Sequence, residues 1–288
     1  MSGNQRLNLP LLATRSTCSG GTYIVTGSNT GLGFEAAQHL VSLGAATVIL
    51  AVRDVVAGEK AQHAIESTTG VTGVAQVWPL DLASFASVQG FAHRAIAELA
   101  RIDALIENAG VAALPGVDAE GYPLAITVNV LSTLLLAVLL LPHMSETGRK
   151  HSILPRLVVV GSRVGFDARD KWEMVQDDPL AKVRDQDIAS AIGLQLYAIS
   201  KLFETFAVRY LAPRIPVRRT GVIVNLVCPG LCKTDLARNA PPEFQTKLRQ
   251  MHAQFGRTAE DGSRTLLHAA VAGEETHGCL LHSCEMGE

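Results

Sequence analysis

Apolar residues along this chain fall into two alternating patterns, short unbroken runs and longer stretches of helical period. The first run, Thr22 to Thr26, is β-branched and aromatic and reads as a strand. An apolar pattern of helical period then begins at Leu32 and closes near Gly44. The same rhythm continues with a run at 47–52, a helical stretch at 55–67, a run at 74–80, a helix at 84–100 and a run at 104–106. Continuous apolar runs suit parallel strands covered on both faces. The pattern predicts an α/β chain built on a doubly wound parallel β-sheet with helices on both faces, where ligands sit at the carboxyl ends of the strands.

Further along, a buried helix is expected from about Pro123 to Leu141. Its apolar run from Leu131 is ended by Pro142, short of the roughly 20 residues a membrane span needs. An irregular, charged insertion at 163–187 leads into a helix predicted over 189–211. Phe244, Leu248, Met251 and Phe255 share one helix face, which either packs on the core or lies over a pocket as a lid. Thr258 and Asp261 resemble a capping box opening a last helix to about Ala272, and Cys279 to His282 reads as a short final strand. Residues 1–21 read as a flexible leader and 22–288 as one domain, with a substrate loop at about 163–190 and a lid region at about 233–257.

Charge excludes some partners. A net charge of −2 with scattered Lys and Arg offers no basic surface for nucleic acid or anionic lipid. The five cysteines lack zinc-site spacing, so they read as free thiols of a reducing, cytoplasmic compartment, with no metal site.

Candidate chemistry gathers at the predicted strand ends. Gly27, Gly31 and Gly33 form a G-x3-G-x-G turn between strand and helix, which brings backbone amides and a positive helix end close to a phosphate. Other strand ends carry Arg53, Asp81, Glu107 to Gly110, Gly161-Ser162 and Cys228 to Gly230, which together outline a dinucleotide cleft. Tyr197 and Lys201 lie four residues apart on a predicted helix, so they project from one face. An ammonium there would draw the phenol down from its usual value of about 10 toward the working range of a general acid or base. Asn129 stands in an apolar helix, either as a polar cap for a neighbouring strand or as a member of a proton relay.

The set Thr26-Gly27-x3-Gly31-x-Gly33, Asn108-Ala109-Gly110, Asn129, Ser162, Tyr197-x3-Lys201 and Pro229-Gly230 with Thr234 resembles the short-chain dehydrogenase/reductase family. The resemblance runs from about Thr22 to Cys284. Ala51-Val-Arg53, Leu80-Asp-Leu-Ala-Ser84 and Asn129-Val-Leu-Ser-Thr133 give it the look of the fungal secondary-metabolism, retinol-dehydrogenase-like branch. The resemblance implies a single-domain Rossmann fold and an oxidoreductase acting between CH–OH and C=O groups. In it Tyr197 exchanges a proton with the substrate oxygen and Lys201 lowers the tyrosine pKa and binds the nicotinamide ribose. Ser162 would hold the substrate oxygen, and Asn129 would position a water linking Lys201 to solvent.

The resemblance further implies that Gly27, Ser28, Asn29, Gly31, Leu32 and Gly33 wrap the phosphates and that Asp81 and Leu82 meet the adenine. Asn108, Ala109 and Gly110 would pack along the cofactor, while Pro229, Gly230 and Thr234 border the nicotinamide. Arg53, about twenty residues past Gly33, stands where an acid would select NAD, so NADP(H) is the expected cofactor. Glu107 departs from the family, which often has asparagine there. The expected substrate is a bulky apolar ketone or aldehyde, met by Val164, Phe166, Trp172 and the Phe244 to Phe255 face. Family habit adds a homodimer, and relatives that continue past the last strand imply incomplete pocket closure at an end at Glu288. Two other readings use the same cleft: a non-redox cyclisation or dehydration, and a non-catalytic NADP(H)-binding sensor.

Overall fold

In the computed structural model, described for residues 5–113, 116–238 and 240–287, the predicted runs and stretches become strands and helices. They are β1 (Thr22–Thr26), α1 (Gly31–Ser42), β2 (Thr47–Val52), α2 (Val55–Thr69), β3 (Ala75–Pro79), α3 (Phe85–Glu98) and β4 (Ala104–Glu107). Then come α4 (Leu124–His151), β5 (Arg156–Val160), α5 (Leu196–Leu211), β6 (Ile223–Cys228), α6 (Pro242–Phe255), α7 (Ala259–Val271), β7 (Leu280–His282) and β8 (Glu285–Met286). The sheet order is β8-β7-β6-β5-β4-β1-β2-β3, parallel throughout except for the antiparallel β8. The chain winds outward from β1 to β3 and resumes at β4 on the other side of β1. That reversal opens a crevice between the carboxyl ends of β1 and β4.

Strand residues alternate between two cores. Ile24, Ile49, Leu105, Val159 and Leu226 meet α3 and α4 through Val88, Phe91, Leu136 and Leu140. Tyr23, Val25, Val48, Ile106 and Val158 meet α1 and α7 through Ala37, Leu40, Leu266 and Ala270. A strand buried on both faces has no polar alternation to show, which is why these strands read as continuous apolar runs.

Four regions differ from the sequence expectation. Helix α4 does not stop at Pro142 but runs through it to His151. Pro142 removes the hydrogen bond to Val138, and both residues are exposed, so water replaces the lost donor. By length and composition α4 could cross a membrane, but 61% of its most apolar window is buried, as in a core helix. The insertion after Ser162 is a string of short helices rather than irregular chain. Asp178 and Asp185 cap two of them, and Val175, Val183 and Ile192 pack with Ile199 and Phe203 of α5. Gly193, with φ of 61°, breaks the long helix predicted from 189, so α5 starts at Leu196, one residue before Tyr197.

The stretch expected as a flexible leader forms a strap held to the domain at several points, although most of its described side chains are exposed; Met1 to Asn4 lie outside the described residues, as does Glu288. Leu9 is fully buried, and Ala13 and Cys18 join the core beneath α1. Asp261, expected to close a capping box, instead accepts hydrogen bonds from the backbone amides of Asn8 at 3.0 Å and Leu9 at 2.6 Å, while Thr258 alone caps α7. Gln5 accepts from the Leu231 amide at 2.7 Å and donates to the Leu231 and Phe255 carbonyls, both at 2.8 Å. Asp261→Ala leaves those two amides without an acceptor and should cost about 1–3 kcal/mol. The expected result is a lower Tm with faster proteolysis ahead of Thr22, and an unchanged Tm would show that the strap contributes no stability.

Candidate active site

The crevice between β1 and β4 is closed by short contacts. Asn108 donates to the carbonyls of Thr26 at 2.9 Å and Gly27 at 3.3 Å, and the Ala109 amide donates to the Thr26 hydroxyl at 2.9 Å. Gly27 and Gly31 have φ of 64° and 59°, in the left-handed region. A Cβ on Gly33 would lie 2.5 Å from the Asn108 amide nitrogen, so the third glycine lets α1 reach the turn. Thr30, the N-cap of α1, makes no side-chain capping bond, which leaves the first-turn amides for an anion. Ser28 is buried with its hydroxyl donated to the Val25 carbonyl at 2.9 Å, so only its backbone faces a phosphate role. Asn29 and Leu32 belong to the same turn, and Leu32 packs partly against the α1 core.

Across the crevice the structure brings Asn129, Ser162, Tyr197 and Lys201 together. Lys201 is buried, and its Nζ lies 5.8 Å from the Tyr197 ring centre. It donates to the Val160 carbonyl at the end of β5, at 2.9 Å. Ser162, two residues later, accepts from the Val164 amide at 3.4 Å, and its hydroxyl favours the ionised form of the Tyr197 phenol. The segment after Ser162 can lie on α5 because residue 165 is glycine: a Cβ there would fall 2.8 Å from the Leu202 amide nitrogen.

Asn129 sits inside a π-helical stretch, Thr127–Ser132, of α4. Its side chain accepts from the Val111 amide at 2.8 Å and donates to the Val111 carbonyl at 3.0 Å and the Ser200 hydroxyl at 2.8 Å. Ser200 in turn donates to the Tyr197 carbonyl at 2.7 Å. The asparagine amide is therefore occupied in joining the chain after β4 to the first turn of α5. A Cβ on Gly110 would stand 3.3 Å from its Oδ1 and 3.7 Å from Lys201 Nζ. The glycine lets the chain after β4 pass close to both, and with the uncapped first turn of α1 these residues fit a dinucleotide.

The electrostatics differ from the expectation in one respect. Burial pushes the Tyr197 phenol above its ordinary value; Lys201 pulls it down without prevailing, while Glu204 and Cys228 add to the rise. Burial is the main cause, and the lysine's opposing pull is weakened because its Nζ is ion-paired one turn below to the buried Glu204 carboxylate at 2.8 Å. Its field is shared between phenol and carboxylate. Burial works against the Lys201 charge, but Glu204 and Tyr197 outweigh it and hold the ammonium above its usual range. Burial also lifts Glu204 to about 7 despite the lysine.

The remaining expected residues take distinct positions. Arg53 is exposed just beyond β2 and makes no ion pair among the described residues. Its neighbour Asp54 caps α2 by accepting from the Ala57 amide at 3.0 Å. Asp81 accepts from the Ala83 amide at 2.9 Å, whereas Leu82 turns its side chain into the core. Thr234 comes beside the glycine turn: a Cβ on Gly31 would touch its Cγ2 at 3.4 Å. Trp172, expected in the substrate pocket, instead packs edge-on against Phe203 and Phe206 at 6.2 and 5.0 Å. Those residues lie on flanks of α5 turned away from Tyr197.

Sequence reading missed Glu204, Gln5 and Arg257. An acid three residues past Lys201 in an apolar helix was a local signal for the first. The others had none, because their partners lie far along the chain: buried Arg257 donates to the carbonyls of Arg6 at 2.8 Å and Pro229 at 2.6 Å. Gly230, with φ of 80°, stands between them, since a Cβ there would clash with Gln5 Oε1 and meet Arg257 Nη1 at 2.7 Å. The loop expected to border the nicotinamide is thus fixed by the strap and by Arg257.

Comparison with known proteins gives the same outline. The short chain dehydrogenase family pattern matches residues 22–174. The chain is 42% identical over 271 residues to the short chain dehydrogenase/reductase dmxR8 of Cryptosporiopsis sp., covering 93% of this chain and 83% of that one. It is 43% identical over 262 residues to the short chain dehydrogenase atnD of Emericella nidulans, covering 90% and 82%. Among solved structures it superimposes on L-sorbose reductase from Gluconobacter frateurii, complexed with NADPH and L-sorbose, with TM-score 0.69, 18% identity and coverage of 92% and 95%. A 7α-hydroxysteroid dehydrogenase complexed with NADH and 7-oxo glycochenodeoxycholic acid superimposes with TM-score 0.68, 23% identity and coverage of 92% and 93%. The chain belongs to the short-chain dehydrogenase/reductase family of oxidoreductases, with relatives in fungal secondary metabolism.

Proposed function

We propose that the protein is an NADP(H)-dependent reductase of a bulky apolar ketone or aldehyde in secondary metabolism, reversible as an alcohol dehydrogenase. The observation that carries this reading is the convergence of Ser162, Tyr197 and Lys201 beside Gly110 in the chain after β4. The nicotinamide, when bound, supplies or accepts the hydride at the carbonyl carbon. Tyr197 Oη donates its proton to the carbonyl oxygen as that oxygen gains charge, and Ser162 Oγ donates a hydrogen bond to the same atom. The Lys201 ammonium stabilises the phenolate left behind. Asn129 keeps the registry of Val111 and α5, so that phenol and cofactor space stay aligned.

NADP(H) is favoured by charge. Arg53 is free to make a charge-assisted contact with a ribose 2′-phosphate, while the Asp54 carboxylate is tied to its helix cap. An apolar substrate is supported by side chains left uncovered near the site. Phe166 on the loop after Ser162 is exposed, and α6 carries no buried residue, with Phe244 and Phe255 open to solvent. That helix does not pack on the core, which favours its reading as a lid over bound substrate.

Two variants test the reading with NADPH and a panel of bulky ketones. Tyr197→Phe should lose about 10²–10⁴-fold in kcat, with NADPH binding retained when measured by fluorescence titration. Comparable turnover in this variant would remove tyrosine as the acid. Arg53→Ala should raise the NADPH KM about tenfold or more and leave the NADH KM unchanged. Equal NADPH KM values before and after the change would end the NADP(H) assignment.

A further inference from the structure

Beneath the reacting face of α5 lie two carboxyl groups that the reaction above does not use. Glu204 is buried, with Oε1 on Lys201 Nζ at 2.8 Å and Oε2 without a hydrogen-bond partner among the described residues. Glu107 ends β4 and is also buried, and neither of its oxygens has a hydrogen-bond partner among the described residues. It pairs in register with Val159, the residue before the carbonyl that receives Lys201. Its side chain leaves the sheet on the same face as Leu105, toward α3 and α4 rather than α1. The charge of Glu204 acts on the Glu107 carboxyl.

We propose that Glu204 is a positioning residue that serves as the buried counter-ion of Lys201, and that Glu107 stays a neutral acid behind it, so that lysine and the two carboxyls carry no net charge. The inference rests on the reductase reading for its kinetic consequence and on the structure alone for its charge state. A buried ammonium needs a partner, and among the described residues Lys201 has one carboxylate and one carbonyl. A second ionised carboxylate beside the first, with nothing to bond it, would be an uncompensated charge, which protonation of Glu107 removes. Burial, then the charge of Glu204, holds the Glu107 carboxyl well above the usual carboxylate range.

The ionisable groups that act on Lys201 are Tyr197 and Glu204 on its own helix and Cys228 at the end of β6, with Glu107 of β4 acting through Glu204. Tyr197 can donate a proton with the lysine charged. When Glu204 is protonated as pH falls through about 7, the ion pair is lost and the lysine is less firmly held. When Glu204 is replaced by a neutral group, burial acts on Lys201 unopposed by its counter-ion, so the ammonium gives up its proton at lower pH.

The test compares Glu204→Gln, Glu204→Asp and Glu107→Gln with the wild type in kcat and NADPH KM across pH, and by infrared spectroscopy of the protonated carboxyl band. Glu204→Gln should lower kcat by about tenfold or more with a smaller change in NADPH KM, lose the acidic limb of the profile, and move the alkaline limb to lower pH. Glu204→Asp, which keeps the charge, should restore most of kcat. Glu107→Gln should keep the wild-type profile, and it should lose a carboxyl band that persists above neutral pH in the wild type and in Glu204→Gln. Its Tm should exceed that of the wild type above neutral pH, with the gap closing as pH falls. An acid favoured protonated in the folded state lowers stability as pH rises past its unfolded value.

A loss in Glu204→Gln that is uniform across pH, or a profile shift in Glu107→Gln equal to that in Glu204→Gln, would overturn the proposal. So would a wild type with no carboxyl band above neutral pH. If no ketone is turned over by any of the proteins, the reductase reading fails, while the infrared band and the Tm difference still decide the charge state.

Discussion

The site depends on how closely two parallel strand ends can approach at the point where the winding of the sheet reverses. The gap between β1 and β4 is set by Thr26, Gly27, Asn108 and Ala109, whose hydrogen bonds stitch one end to the other. A side chain at position 33 would force Asn108 away and open that seam. Everything that follows is placed relative to it: α1 points its uncapped first turn over the crevice, and the chain leaving β4 passes directly under Asn129 and Lys201. Glycine is required here by contact as much as by φ.

The second constraint is charge in a dry place. A cation beside a phenol acts strongly only when buried, and burial then demands a counter-charge. The chain answers with an acid one turn below the lysine, on the side away from the phenol. That arrangement helps explain why the phenol stands above its ordinary value instead of below it: burial raises it, and the lysine field that opposes burial is divided.

Position is maintained from a distance as well. The loop after β6 carries Pro229 and Gly230, and its conformation is held by Gln5 from the start of the chain and by Arg257 ahead of α7. Arg257 also bonds Ser283 at 2.7 Å, so β6, the strap and the chain after β7 share one guanidinium. The planar fork of arginine can reach several acceptors at once, which suits it to such a junction.

Local chemistry sufficed for the alternation of strands and helices, because strands buried on both faces must be apolar at every position and the helices between them must keep one apolar stripe. It also sufficed for the glycine turn and for Tyr197 and Lys201 sharing a face, since φ > 0 and helical spacing are properties of neighbours. The rest needed partners far apart in the chain. Asp261 reads as a cap residue by spacing, yet its carboxylate is taken by Asn8 and Leu9. Trp172 reads as a pocket residue by loop position, yet it packs on the flank of α5. Pro142 reads as a stop, yet an exposed turn of helix lets water fill the missing bond. Whether an acid beside a lysine is a solvated surface pair or a buried counter-ion is decided by which face of the helix the sheet covers, and only the tertiary structure determines that for Glu204.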